Sequence, residues 1–184
     1  MGALWTDTPK DHLWVAILDD RHDTLVKGLF ERHESGAAAG HKYLYQHIQL
    51  PWPVNDRQWV ADIWNNPDLF SATQGRVWER CWDLAPQESA SESDPAAVWV
   101  PVNDGTWMLA DLDGGTLLLY QVRTVIGGAI PDEAATTWAM TTLDDMLEHV
   151  VSRAVDIPGH YDSLHVPFER PDGQAIPPVL RLPQ

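Results

Sequence analysis

The stretch Asp113-Gly114-Gly115-Thr116-Leu117-Leu118-Leu119-Tyr120-Gln121-Val122-Arg123-Thr124-Val125-Ile126-Gly127-Gly128-Ala129-Ile130-Pro131-Asp132-Glu133 carries the two signals that set the architecture. Residues 116–125 are the strongest strand in the chain, rich in leucine, β-branched and aromatic residues. Gly127-Gly128 ends that run, and Pro131 followed by two acids suits the first turn of a helix, whose N-terminus favours negative charge. The apolar positions Ala135, Trp138, Ala139, Leu143, Met146, Leu147, Val150 and Val151 then recur at helical spacing, a stripe for packing on a sheet.

Upstream the pattern has period two. Lys42 to Leu50, Arg57 to Trp64, Arg76 to Leu84, Ala97 to Val102 and Thr106 to Ala110 read as strands, with Asn103-Asp104-Gly105 and Asp113-Gly114-Gly115 as turns that make neighbours antiparallel. Leu25 to Arg32 fits strand or helix on pattern alone, and its neighbours favour strand. Near the N-terminus Ala3 to Thr6 is a short strand. Thr8 is placed to cap a helix with Pro9 in its first turn and Leu13, Trp14, Ile17 and Leu18 on one face. Pro86 to Pro95, with three Ser and three acids, reads as a solvated loop. So few helices cannot cover both faces of such a sheet. The expected fold is α+β: a curved antiparallel sheet of six or seven strands around one long C-terminal helix, as a single domain over 1–155 with a Pro-rich tail over 156–184.

Composition narrows the function. At 184 residues folding buries roughly 70% of the unfolded chain's surface, enough for a core without staples. Twenty-seven Asp and Glu against 12 Lys and Arg leave a formal charge of −15, which argues against nucleic acid and against standing attachment to anionic lipid. One cysteine, Cys81, allows neither an intrachain disulfide nor a cysteine zinc cage. Met1-Gly2-Ala3-Leu4-Trp5 reaches polar Thr6-Asp7 before the roughly 7–15 apolar residues of a signal peptide accumulate, so a cytoplasmic location is expected. Ten Trp in a chain of this length is the compositional oddity.

Pro51-Trp52-Pro53-Val54-Asn55-Asp56-Arg57-Gln58-Trp59-Val60 resembles the P-x-P-V-S-D-R-D-F-V segment of START lipid-transfer domains. Gly105-Thr106-Trp107-Met108-Leu109, Gly115-Thr116 leading to Tyr120, and Gly127-Gly128-Ala129-Ile130-Pro131 resemble the later G-S-W-x-L, G-x-T-x-x-x-Y and G-G-x-I-P segments in order and spacing, so the resemblance spans about Thr8 to Arg153. It implies the START-like helix-grip fold of the SRPBCC superfamily, which also includes polyketide cyclases and birch-allergen-like proteins, with a cavity for a hydrophobic ligand. The chain departs from the pattern in its first strand, at most a few residues long, and at Gln58, where the family has Asp.

Candidate site residues follow from strand alternation. Trp78, Trp82, Trp107 and Tyr120 alternate on strands and supply aromatic walls, while Trp138 and Met146 lie on the long helix. Gln121 and Arg123 share a strand face with Leu117 and Leu119. Facing a cavity, they are the few polar groups that orient a ligand, with Glu79 or Asp83 as partner for Arg123; facing solvent, they are ordinary outer residues, and both arrangements are open. Asp56 and Arg57 read as structural, the guanidinium fork holding a carboxylate or loop carbonyls at the start of a strand. His22 among Asp19, Asp20 and Asp23, and His160 and His165 in the tail, read as surface residues rather than ligands, so no metal and no cofactor is expected.

The resemblance, together with the lack of HExxH, Gly-x-Ser-x-Gly or a phosphate-binding glycine loop, implies as the leading expectation a non-enzymatic domain that binds, and carries, a lipid-, sterol- or polyketide-like molecule. Two alternatives stand beside it: an aromatase/cyclase-like enzyme of the same fold using Arg123, Tyr120 and Glu79, and a protein-binding adaptor with an exposed aromatic surface.

Overall fold

The computed structural model describes residues 1–19, 28–128, 143, 145–157, 161 and 168–177. In chain order the elements are β1 (Gly2–Thr6), α1 (Lys10–Leu18), β2 (Leu29–Glu34), β3 (His41–Ile48), β4 (Arg57–Asn65), α2 (Pro67–Ala72), β5 (Val77–Leu84), β6 (Val98–Trp99), β7 (Val102–Leu112) and β8 (Gly115–Val125). Residues 145–157 form α3. Among the described residues the eight strands make one sheet in the order β1-β8-β7-β5-β4-β3-β2, with antiparallel neighbours throughout, and β6 pairs in parallel with the start of β4. The fold is α+β, as the sequence pattern indicates.

One face of the sheet carries the helices. Leu4, Trp78, Trp107, Leu109 and Leu118 pack there with α1 and with Leu143, Met146, Leu147, Val150, Ala154 and Ile157 of the C-terminal helix. The stripe expected from the helical spacing is therefore the packed face at these positions. Its contact with the sheet edge is close: a Cβ on Gly2 would stand 2.8 Å from Leu147 Cδ1.

Helix α1 is buried on all sides from His12 to Leu18, not amphipathic as its spacing suggested. The reason is the tail. Trp14 Nε1 donates to the Glu169 carbonyl at 2.9 Å, Tyr161 Oη donates to the Ile176 carbonyl at 3.0 Å, and Tyr161 and Ile176 belong to the same core. The described tail residues thus close over α1, and α3 runs to residue 157. Thr8 does not cap α1. Its hydroxyl pairs with that of Thr6 at 2.9 Å, and its carbonyl accepts from Thr116 Oγ1 at 3.1 Å, so it ties β1 to β8 instead.

Two turn expectations separate in the structure. Asp113 and Gly114 both have positive φ, 50° and 83°, which suits the two-residue hairpin joining β7 to β8. Asn103-Asp104-Gly105, by contrast, lies inside β7 in an unbroken ladder with β8. Gly105 is there for close approach: a Cβ would collide with the Trp82 indole and the Gln121 carbonyl. The short helix α2 was not anticipated, although Asn66 accepts from Leu69 N at 3.0 Å as its cap and Pro67 sits in its first turn.

Candidate ligand-binding face

Strand register assigns each side chain to a face. Arg80, Trp107, Tyr120 and Gly2 oppose one another across β5, β7, β8 and β1 on the helix-bearing inner face, and Trp82, Gly105 and Val122 form the adjacent row. Because Gly105 has no side chain, the Trp82 indole crosses β7 and stacks on Tyr120, with ring centroids 5.5 Å apart and planes 24° apart. Trp107, its partner across the β7–β8 ladder, meets Tyr120 at a tilt with ring centroids 4.4 Å apart, and Trp14 meets Trp78 edge-on at 5.6 Å. Trp82 Nε1 donates to Asn103 Oδ1 at 3.2 Å, which fixes the indole while leaving its ring to contact apolar groups.

The inner face has two apolar regions. Under α1 and α3 it is close-packed, with Leu13, Trp14, Leu109, Leu118 and Val150 fully buried. Towards β3 and β4 a second cluster, Leu44, Ala61 and Ile63 with Trp59, meets the first through Trp82. Arg80 stands at this junction. It lies between Trp78 and Trp82 on β5, points inward by alternation, and is only 8% exposed. Burial pushes the Tyr120 phenol well above its ordinary value, so it remains an O–H group at neutral pH.

The proposed wall residues Trp78, Trp82, Trp107 and Tyr120 share this face, and Met146 packs in its core. Trp138 lies outside the described residues, as do His22, His160 and His165. The structure places Gln121 and Arg123 on the outer face, where both are exposed; Arg123 pairs with Asp104 at 2.7 Å and its side chain is 77% exposed. They do not line the interior, because β8 turns Leu118, Tyr120 and Val122 inward and leaves alternate positions outside. Glu79 is also on the outer side, accepting from Thr106 Oγ1 at 3.0 Å and Asn66 Nδ2 at 2.6 Å, so it does not pair with Arg123. Arg123, Tyr120 and Glu79 therefore do not converge on one site. Arg80 was missed, although the alternation that put Trp78 and Trp82 together puts it between them.

Asp56 and Arg57 hold backbone. Arg57, 2% exposed, donates through Nε to the Ile126 carbonyl at 2.6 Å, through Nη2 to the Gly127 carbonyl at 2.8 Å, and through Nη1 to the Asn55 carbonyl. Asp56 Oδ1 accepts from Leu50 N at 3.0 Å across the loop containing the cis Trp52–Pro53 bond. Gln58 points to the opposite face and takes over the anchoring of the acidic loop. Its amide oxygen accepts from Tyr45 Oη and Asp94 N at 2.8 and 3.0 Å, and its nitrogen donates to the Asp94 and Ala97 carbonyls at 2.8 and 3.2 Å. A carboxylate at that position has no proton to give those two carbonyls.

No family model matches the chain, and no curated protein matches it in sequence. Solved structures do. A STAR-related lipid transfer protein fragment from Xanthomonas axonopodis superposes with a TM-score of 0.66 at 18% identity, over 83% of each chain. Human STARD10 gives 0.67 at 12% identity over 85% of this chain and 63% of its own. The Zhui aromatase/cyclase from Streptomyces sp. R1128 gives 0.52 at 16% identity over 84% and 92%. No described helix is long and apolar enough to cross a membrane. The chain has the START-like helix-grip fold, an antiparallel sheet with a C-terminal helix on its inner face, in common with lipid-transfer proteins and an aromatase/cyclase.

Proposed function

We propose that this protein binds a hydrophobic small molecule, lipid-, sterol- or polyketide-like, between the inner face of the sheet and the C-terminal helix, and carries it without chemical change. The carrying observation is the wall in which Trp82 stacks on Tyr120, with Trp107 behind it and the Arg80 guanidinium one strand position away. Such a surface offers a ligand broad apolar contact and one planar group that orients a polar end. The occupied region is the Trp59, Ile63 and Trp82 end, since the part under α1 is already filled by side chains. The shared fold of lipid-transfer proteins supports the reading.

Native mass spectrometry of the purified chain, followed by organic extraction, tests it. A co-purifying apolar molecule released unchanged is expected. A chain that carries none, and takes up neither fatty acid nor sterol when offered, contradicts it. The cyclase reading predicts instead turnover of a poly-β-ketone that depends on Tyr120, the member of its trio on the inner face.

A further inference from the structure

We propose that His47, Asp56 and Asp94 form a binding site for one divalent first-row cation, Zn²⁺ being the best match, on the outer face of the sheet. The residues come from three segments: His47 near the end of β3, Asp56 from the loop before β4, and Asp94 from the acidic loop that covers this face. One ligand atom from each lies within 4.8 Å of the other two.

The geometry fits ligands better than a hydrogen-bonded triad. His47 Nε2 is buried and has no hydrogen-bond partner. It stands 3.4 Å from Asp56 Oδ2 and 3.7 Å from Asp94 Oδ2, within ion-pair range but without making a hydrogen bond to either. Nitrogen and oxygen donors about 2.0–2.1 Å from a tetrahedral ion are about 3.3–3.4 Å from each other. The first distance matches, and the second closes with a small movement of the Asp94 side chain, which is 43% exposed.

Both carboxylates are also held in the orientation a metal requires. Asp56 Oδ1 is occupied by Leu50 N–H and Asp94 Oδ1 by Ala96 N–H at 2.8 Å, so in each case the second oxygen is the one directed at His47. Outer hydrogen bonds of this kind fix ligand geometry. The nearby cation, Arg32, is turned to Glu34 at 2.6 Å and the Glu92 carbonyl at 2.7 Å and does not neutralise the pair. One imidazole with two carboxylates suits Zn²⁺ or its first-row neighbours better than Ca²⁺, which takes 6–8 oxygens. An adjoining cleft of about 270 Å³, lined by Phe30, Tyr45 and Ser93 among others, leaves room for water to complete the coordination. The bound ion would lock the acidic loop onto β3 and the start of β4, away from the wall formed by Trp82 and Tyr120.

Calorimetric titration of the chelator-treated full chain with ZnCl₂ tests this. One saturating event per chain is expected, weakened at least about tenfold in His47→Ala and in Asp94→Asn. Asp62→Asn should leave it intact, since that carboxylate faces His41 at 2.8 Å. Circular dichroism without metal reports whether each variant folds; if His47→Ala does not, Asp94→Asn, at an exposed position, decides. Amide exchange over residues 86–97 should slow when Zn²⁺ is added to the wild-type chain and not when it is added to Asp94→Asn. Absence of saturable binding, binding that Asp94→Asn retains, or equal loss in Asp62→Asn would overturn the proposal.

Discussion

The Arg57 guanidinium donates to the Gly127 carbonyl at 2.8 Å, and Gly128, at φ +71°, leaves space that a Cβ would take 2.8 Å from Arg57 Nη2. Seventy positions apart in sequence, the Pro-Trp-Pro-Val-Asn-Asp-Arg segment and the Gly-Gly segment meet at this contact. The start of β4 and the exit of β8 are thereby held together at the point where the chain leaves the sheet for its C-terminal helix.

Arg57→Ala should therefore destabilise the fold more than it weakens ligand binding. Several charge-assisted bonds from the buried Arg57 guanidinium to backbone carbonyls are lost, for a cost of about 3 kcal/mol. In a chain of this size that corresponds to a melting temperature about 6–12 °C lower. Differential scanning calorimetry beside a ligand titration checks the ranking, and a larger effect on affinity than on melting would reverse it.

Gly105→Ala should disrupt the stacked pair. Its Cβ would stand 2.2 Å from the Gln121 carbonyl oxygen on β8 and 2.4 Å from the Trp82 indole. An overpacking cost of about 1–3 kcal/mol is expected, with loss of near-ultraviolet dichroism from Trp82. A variant with wild-type stability and an unchanged aromatic spectrum would show that Trp82 does not depend on this glycine.

Burial, and secondarily the Glu79 charge, pushes the Cys81 thiol up to about 11. The native chain therefore keeps a proton that the unfolded chain gives up near pH 9, so this group makes stability fall as pH rises from about 9 to 11. Iodoacetamide labelling of the native protein should be slow at pH 8 and accelerate only near pH 11. Cys81→Ser should flatten the alkaline stability loss.

Glu34 works with the opposite sign. Burial alone would raise its carboxyl, but hydrogen bonds from Arg32 and from Ser91 outweigh it and leave the group below its ordinary value of 4.5. Its contribution is present above that value and is lost as pH falls through the native one. Urea midpoints measured from pH 7 down to pH 3 should drop less steeply in Glu34→Gln than in the wild-type chain. An identical slope would remove Glu34 from the attachment of the acidic loop.

The strand segments and the inward helix were legible because each rests on local period: two for β8, and the spacing of Leu143, Met146, Leu147 and Val150 for α3. Local signals failed where a distant residue decided. Gly105 has turn chemistry in sequence, yet it serves Trp82 on another strand. Thr8 has cap chemistry, yet Thr6 and Thr116 use its polar groups. The face of Arg123 was open because Leu117 and Leu119 beside it are apolar, and the ladder, not composition, puts all three outside. His47, Asp56 and Asp94 carry no spacing signature at all, since three separate segments bring them together.

The most direct test of the account is energy transfer from tryptophan to cis-parinaric acid, a fluorescent fatty acid, titrated into the delipidated chain. Saturable transfer at one ligand per chain is expected. It should be strongly reduced in Trp82→Ala and in Arg80→Leu, and unchanged in Trp52→Phe, whose indole is 93% exposed. No saturable transfer, or transfer that survives in Trp82→Ala and disappears in Trp52→Phe, would contradict ligand binding at the inner face.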